Sequence, residues 1–253
     1  MIRISRHTKL ILIAIAVIVG AAFVIAYVYY SAKNRAEDPR VVEVKKMLAR
    51  FDKLCSEKGF DYALIKLDSI ETVLKNTEAY ADSYELGIVY NNRGSVFLQQ
   101  ALYETTDSAA RQSMLDAAAY WIEKSIERYT GWMKKYGAMQ ADSLMIITRK
   151  TFNRSDPAFA GHNYERVVQK RVDDLLLAQK ETPRRISVAY TNQGIIRRHQ
   201  YRQDEALQCY IQAIKLWKDN VTARNNFNVL MGLPPEDRSI IDRLFPPEKN
   251  KFD

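Results

Sequence analysis

The chain is poor in the side chains from which most enzyme and metal sites are built. It has three histidines and two cysteines in 253 residues. It contains no His-Glu-x-x-His sequence, no closely spaced cysteine pair, no Gly-x-Ser-x-Gly sequence and no phosphate-binding glycine loop. His7 lies in a basic tail, and His199 follows two arginines near a predicted helix end, where a cation is favourable by itself. We therefore expect a protein that is not an enzyme and that needs neither a cofactor nor a metal ion.

Glycine and proline are also scarce, with nine and seven residues respectively. The segments between them are rich in Ala, Leu, Glu, Lys, Arg and Gln, which favour helices, so the sequence predicts an all-α fold. Cys55 and Cys209 follow no metal-ligand spacing. They are either two buried thiols or, in an oxidising compartment, a disulfide pair.

The excess of positive charge is confined largely to the first residues. The net charge is +8, but five of the 38 Lys and Arg residues lie in residues 1–35, where there is no Asp or Glu. The remaining chain has 33 basic against 30 acidic side chains. Such a balanced segment lacks the basic face of a nucleic-acid binder, so we expect no nucleic-acid partner.

Residues 10–30 form an apolar run without a charged side chain, preceded by the basic tail of residues 1–9. At about 1.5 Å per residue this run is long enough to cross a bilayer, and it predicts a retained transmembrane helix. A signal peptide cleaved near Gly20, Ala21 and Ala22 is the alternative. The same small residues would suit a partner transmembrane helix. The charges predict a cytoplasmic tail and a C-terminal domain in the periplasm of a bacterial inner membrane.

The rest of the chain is divided by polar breaks and by prolines. Residues 31–38 read as a linker, Asp38-Pro39 as the start of a helix that runs to residue 57, and residues 39–136 as helical hairpins. Residues 137–162 read as an irregular insertion, and residues 163–245 as a second helical segment with capping helices at its end. Thr182-Pro183 is expected to begin a new helix there, and residues 246–253 form a tail. Aromatic residues at helical spacing, such as Trp121, Tyr129 and Trp132, are expected in the core rather than in a ligand groove.

An internal repetition links the two helical segments. The string from Tyr190 to Gly194 echoes the string from Tyr90 to Gly94 at an offset of 100 residues. Small and aromatic residues then recur in the following helix, where they would allow two helices to pack closely. The expected packing positions are Tyr90, Gly94, Ala118, Tyr190, Gly194, Ala206, Tyr210 and Ala213.

These residues resemble the tetratricopeptide repeat (TPR), most closely over residues 187–220. The resemblance implies a solenoid of helical hairpins whose first helices line a concave surface for peptides or proteins. A plain helical bundle is the alternative. The positions that the resemblance places on this surface are Asn91, Ser95, Val188, Thr191, Ile195, Arg198 and His199.

The expected groove differs from that of chaperone-binding members of the family. Those members clamp a C-terminal carboxylate with Lys and Asn, where this chain has Thr191 and Ile195. A cluster of five arginines between residues 184 and 202 could meet an acidic partner or lipid headgroups, or could simply be solvated. We therefore expect a membrane-anchored adaptor for other proteins. The alternative is a constitutive structural subunit of a secretion or transport complex in a bacterial envelope.

Overall fold

The computed structural model describes residues 12, 14–25 and 36–236, and among these residues the fold is all-α, without a β-strand. This confirms the predicted fold class. The α-helices after residue 36 are α1 (Val42–Ala49), α2 (Phe51–Lys58), α3 (Phe60–Asn76), α4 (Tyr84–Gln99), α5 (Ser108–Tyr136), α6 (Ala141–Thr151), α7 (Tyr164–His199), α8 (Gln203–Leu216) and α9 (Val221–Leu230). Short turns of other helix types lie at Glu78–Tyr80, Gln100–Glu104 and Pro157–Phe159.

The hairpin of α4 and α5 is built around two glycines of α4. A β-carbon at Gly87 would lie within 3.0 Å of the Tyr129 ring, and one at Gly94 would lie 2.7 Å from Ile122 Cδ1. The buried Ser125 hydroxyl donates to the Gly87 carbonyl at 2.8 Å. The absence of side chains at these glycines thus lets the two helices approach closely enough for this bond.

The hairpin of α7 and α8 repeats this arrangement. A β-carbon at Gly194 would meet three carbons of the buried Tyr210 ring within 3.0 Å. The Ser187 hydroxyl donates to the Ala213 carbonyl at 2.7 Å. In this hairpin the first helix supplies the hydroxyl, whereas in the earlier hairpin the second helix supplies it. The two hydrogen bonds nevertheless join equivalent positions of the repeated sequence.

The hairpins stack in chain order. Helix α3 packs against α4, α5 packs against α7, and α8 packs against α9, so that each second helix contacts the first helix of the next unit. The first helices also touch one another, since α4 contacts α7 and α7 contacts α9. The predicted core aromatics Tyr129 and Trp132 are buried, as expected, while Trp121 is half-buried against Tyr90.

The first predicted helix is shorter and is broken. Asp38 does not begin an α-helix, because residues 39–41 form a turn and α1 starts at Val42. The Asp38 carboxylate is buried and accepts hydrogen bonds from the Arg40 backbone and guanidinium. The expected continuous helix to residue 57 is interrupted at Arg50, between α1 and α2.

Residues 137–162, expected to be an irregular insertion, contain helix α6 and a packed turn. Leu144 and Thr148 of α6 are buried, and Phe152 stacks on Phe159 with ring centroids 5.7 Å apart. The Arg40 guanidinium lies over both rings. The segment is therefore part of the core. Its mixture of turn residues and short apolar runs did not predict this burial.

A single helix, α7, runs through Pro183, where the sequence predicted a new start. An interior proline costs about 3 kcal/mol because it removes a backbone hydrogen bond. Ala178, Thr182 and Ile186 are buried on both sides of the proline, and the Thr182 hydroxyl donates to the Ala178 carbonyl. Burial of the helix on α5, α6 and α8 offsets the loss, so tertiary packing overrides the local signal.

A buried ion pair holds the beginning of α4 against α7. Arg171 and Glu85 are paired with 4% and 3% of their side chains exposed, and Arg171 also lies over the Tyr80 ring. Burial alone would raise the pKa of Glu85, but the charges of Arg171 and Lys45 hold that pKa below its ordinary value. Lys45 in turn pairs with Asp174 at 2.7 Å.

Several predictions concern residues outside those described. They include the tail of residues 1–9, most of the linker at 31–38, the helix ending at residue 245 and the tail at 246–253. The predicted membrane span at 10–30 is described only at residues 12 and 14–25, where 14–25 are helical. Within the described parts of the chain, no helix has the length and apolar character needed to cross a membrane.

Candidate binding groove

Helix α4 and the second half of α7 lie side by side and run in the same direction. At one end the Arg185 guanidinium lies 5.2 Å from the centroid of the Tyr84 ring. Further along, Asn192 Nδ2 lies 3.1 Å from Ser95 Oγ and 3.3 Å from Asn91 Oδ1. These contacts join residues about 100 positions apart, so the two helices are aligned in space as the sequence repetition aligns them.

One side of this helix pair is open among the described residues, where Val188 and His199 are exposed. On α7, Gly194 faces α8, and Thr191 faces α9 through a hydrogen bond from Asn220. Val188, Ile195 and His199 project from a different side, because residues at this spacing share one face of a helix. We call the surface formed by Asn91 and Ser95 of α4 with Val188, Asn192, Ile195 and His199 of α7 the α4–α7 groove.

Five of the seven predicted groove residues lie in the α4–α7 groove. Val188, with 39% of its surface exposed, and the exposed His199 are accessible, and Ile195 is half-buried. Asn91 and Ser95 lie at the floor, where both accept hydrogen bonds from Asn192. Asn192 was not among the predicted groove residues, although the repeated string aligns it with Asn92, next to the predicted Asn91.

Thr191 is a correction to the predicted groove. It is buried, its hydroxyl donates to the Ser187 carbonyl at 2.9 Å, and it accepts from Asn220 Nδ2 at 2.9 Å. Asn220 also caps the beginning of α9 by accepting from the Ala223 amide. The side chain thus joins α7 to α9 and cannot contact a ligand in the groove. Arg198 is half-buried and lies close enough to Tyr210 of α8 to oppose the rise that burial causes in the Tyr210 pKa.

The predicted packing residues lie inside the stacked hairpins, with one exception. Tyr190 is half-buried, where it packs against the cluster that contains Tyr84 and Trp132. The buried members are Tyr90, Gly94, Ala118, Gly194, Ala206, Tyr210 and Ala213.

The arginine cluster between residues 184 and 202 is largely neutralised by outward-facing acids. Three of the five arginines form ion pairs, and Arg184 also stacks over Trp217. Arg185 and Arg198 form no ion pair with any described residue. The pairs join Arg197 to Glu123 and Glu205, Arg202 to Glu205, and Arg184 to Glu181.

Two basic side chains beside the groove, His199 and Arg185, have different surroundings. Partial burial, together with the nearby charges of Arg198 and Arg111, lowers the pKa of His199. The Arg185 Nη1 nitrogen is shielded from solvent without a hydrogen bond to any described residue. Arg185 thus has one buried guanidinium nitrogen that no described residue satisfies.

A small cavity of about 40 Å³ lies at the beginning of α4, away from the groove. Its lining includes the Ser83 and Thr148 hydroxyls, which are buried without a hydrogen-bond partner among the described residues. The volume suits one or two water molecules and is far below that of a typical small-molecule site. The cavity is thus too small to serve as a site for a ligand of that size.

The two cysteines are not joined by a disulfide bond. Cys55 and Cys209 are free and half-buried, and burial raises the pKa of each thiol to about 11. In the part of the chain that the structure describes, no group of three or more His, Cys, Asp and Glu residues is placed to hold a metal ion.

Comparisons with models of known protein families, with curated proteins and with solved structures found no match.

Proposed function

We propose that this chain is a membrane-anchored adaptor, without enzymatic activity, that binds a segment of another protein in the α4–α7 groove. The observation that carries the proposal is the parallel, aligned pair of α4 and α7, one side of which is open among the described residues. That side offers the exposed Val188 between polar groups. Apolar contacts flanked by oriented polar groups are the usual composition of a peptide-binding surface.

The stacking of the hairpins supports the proposed membership of the TPR family. In such stacks each second helix packs on the next first helix, which leaves the first helices to line one continuous surface. The contacts of α5 with α7 and of α8 with α9 follow this order. A preformed surface of this kind loses little conformational entropy when it binds.

The proposal includes a tether in a bacterial inner membrane through residues 10–30, with the helical domain in the periplasm. A tether raises the effective concentration of the domain towards partners in the same bilayer. Extraction of native membranes with alkaline carbonate tests the tether, because an integral protein stays in the pellet. A C-terminal alkaline phosphatase fusion tests the topology, because that enzyme is active only in the periplasm.

The groove is tested by placing a photo-crosslinking amino acid at Val188 and, as a control, at Leu216. The two side chains have almost the same exposure, 39% and 38%, but Leu216 lies at the end of α8. We expect defined adducts from position 188 in native membranes and none from position 216. Equal labelling at both positions, or none at position 188, contradicts the proposed groove.

The alternative proposal, a constitutive subunit of an envelope complex, predicts a different purification result. A constitutive subunit is isolated from mild detergent with the same companions at fixed stoichiometry, even after washing with salt. An adaptor gives companions that a competing peptide displaces from the groove. Purification of the tagged chain followed by mass spectrometry distinguishes the two.

A further inference from the structure

We propose that the segment bound in the α4–α7 groove is acidic, with a carboxylate placed against Arg185 and aliphatic side chains placed along Val188 and Ile195. This inference rests on the proposed function, since it names the chemistry of the partner for the same groove. The evidence is the distribution of charge over the two helices that line it.

The lining helices have almost no negative charge available to a ligand. Glu85 is the sole acidic residue within residues 84–99, and it is buried in its pair with Arg171. Residues 184–199 contain four arginines, one histidine and no acidic residue. The acids that neutralise neighbouring arginines, such as Glu123 and Glu205, lie on the outer helices α5 and α8. The groove therefore has a positive bias although the chain after residue 35 is nearly neutral.

Arg185 contributes a positive charge that no acidic side chain among the described residues balances. The adjacent Arg184 pairs with Glu181 at 3.5 Å, whereas Arg185 has no acidic partner among the described residues. Its Nη1 nitrogen is shielded from solvent and donates no hydrogen bond to them. Buried donors on a charged group are normally satisfied, and a carboxylate is the acceptor that fits a guanidinium best.

The position of Arg185 fixes where the carboxylate would lie. Arg185 stands beside Tyr84, the first residue of α4, with its guanidinium 5.2 Å from the centroid of the Tyr84 ring. From there Val188 and Ile195 follow on the same side of α7, about one and three turns further along.

The experiment is a selection of random 16-residue peptides, displayed on phage, against the full-length chain in mild detergent. The same selection is run on the Val188→Glu variant and on the control variant Leu216→Glu. We expect peptides enriched in Asp and Glu together with Leu, Ile or Val, selected by the original chain and by Leu216→Glu but not by Val188→Glu.

Affinities of the selected peptides are then measured by fluorescence anisotropy for Arg185→Gln and Arg184→Gln. These variants remove the same charge from neighbouring residues, one unpaired and one paired. We expect Arg185→Gln to weaken binding at least about tenfold and Arg184→Gln to change it less than about threefold. Circular dichroism of all variants checks that the fold is retained.

Two results overturn the inference in distinguishable ways. Peptides that need Val188 but show no acidic enrichment, or that bind Arg185→Gln as tightly as the original chain, refute the acidic partner and leave the groove standing. Peptides that bind Val188→Glu and Leu216→Glu equally, or no selected peptides at all, count against the groove itself.

Discussion

Replacing Gly194 by alanine tests the close approach of α7 and α8. The new methyl group would lie within 3.0 Å of three carbons of the Tyr210 ring, which is fully buried and cannot swing aside. Overpacking of this kind costs about 1–3 kcal/mol, and the severity of the overlap places this site at the upper end. Alanine regains about 1 kcal/mol from its better helix propensity. We therefore expect a net loss of about 1–2 kcal/mol in the free energy of unfolding.

Gly131→Ala in α5 is the matched control. It is the same substitution within a helix, but a β-carbon at Gly131 would meet nothing within 4 Å. The control should gain about 0.5–1 kcal/mol, because only the helix propensity changes.

Thermal unfolding of the full-length chain in one detergent, followed by circular dichroism, measures the contrast. For a chain of this size each kcal/mol shifts Tm by about 2–4 °C. Gly194→Ala should melt below the original chain and Gly131→Ala above it. If Gly194→Ala proves as stable as Gly131→Ala, the reasoning about the helix contact is refuted.

Three further substitutions examine the packing and the buried charges. Ala206→Arg should cost several kcal/mol, because a charged side chain enters a fully buried site between α7 and α8, and urea denaturation measures this loss. Asn220→Ala should cost about 1–3 kcal/mol, since it removes the cap of α9 and leaves the Ser187 and Thr191 hydroxyls without that partner; an unchanged midpoint would argue against the α7–α9 contact. The pKa of Glu85 is lower in the folded chain than its ordinary value of 4.5, so its contribution is present above pH 4.5 and is lost as the pH falls through the folded pKa. The stability difference between the original chain and Glu85→Gln should therefore shrink in acid, and a difference independent of pH would contradict this assignment.

Local composition and spacing predicted the all-α class. The repeated string placed Gly194 and Ala206 at sites that the structure shows to be buried between α7 and α8. Close packing of two helices depends on small residues at fixed spacing, and that spacing is legible in a single sequence.

Features that depend on distant partners were not predictable in the same way. The Arg171–Glu85 pair joins residues 86 positions apart, and no local pattern connects them. The resemblance to the repeat family placed Thr191 in the groove, but Asn220, at the start of α9, binds its hydroxyl. Pro183 is a strong local signal for a helix start, yet burial on both sides keeps α7 continuous. In each of these cases a contact between distant parts of the chain determines the local structure.

The continuity of α7 has a mechanical consequence. The helix has 36 residues and is therefore about 54 Å long. Its second half lines the groove, and its first half holds Asp174 and Lys170, which pair with Lys45 and Glu37 near the residue at which the chain enters the domain. A pulling force from a partner bound in the groove would therefore be carried by the single helix α7 to the ion pairs with Glu37 and Lys45. The force would not first have to separate α5 from α4 or α8 from α7.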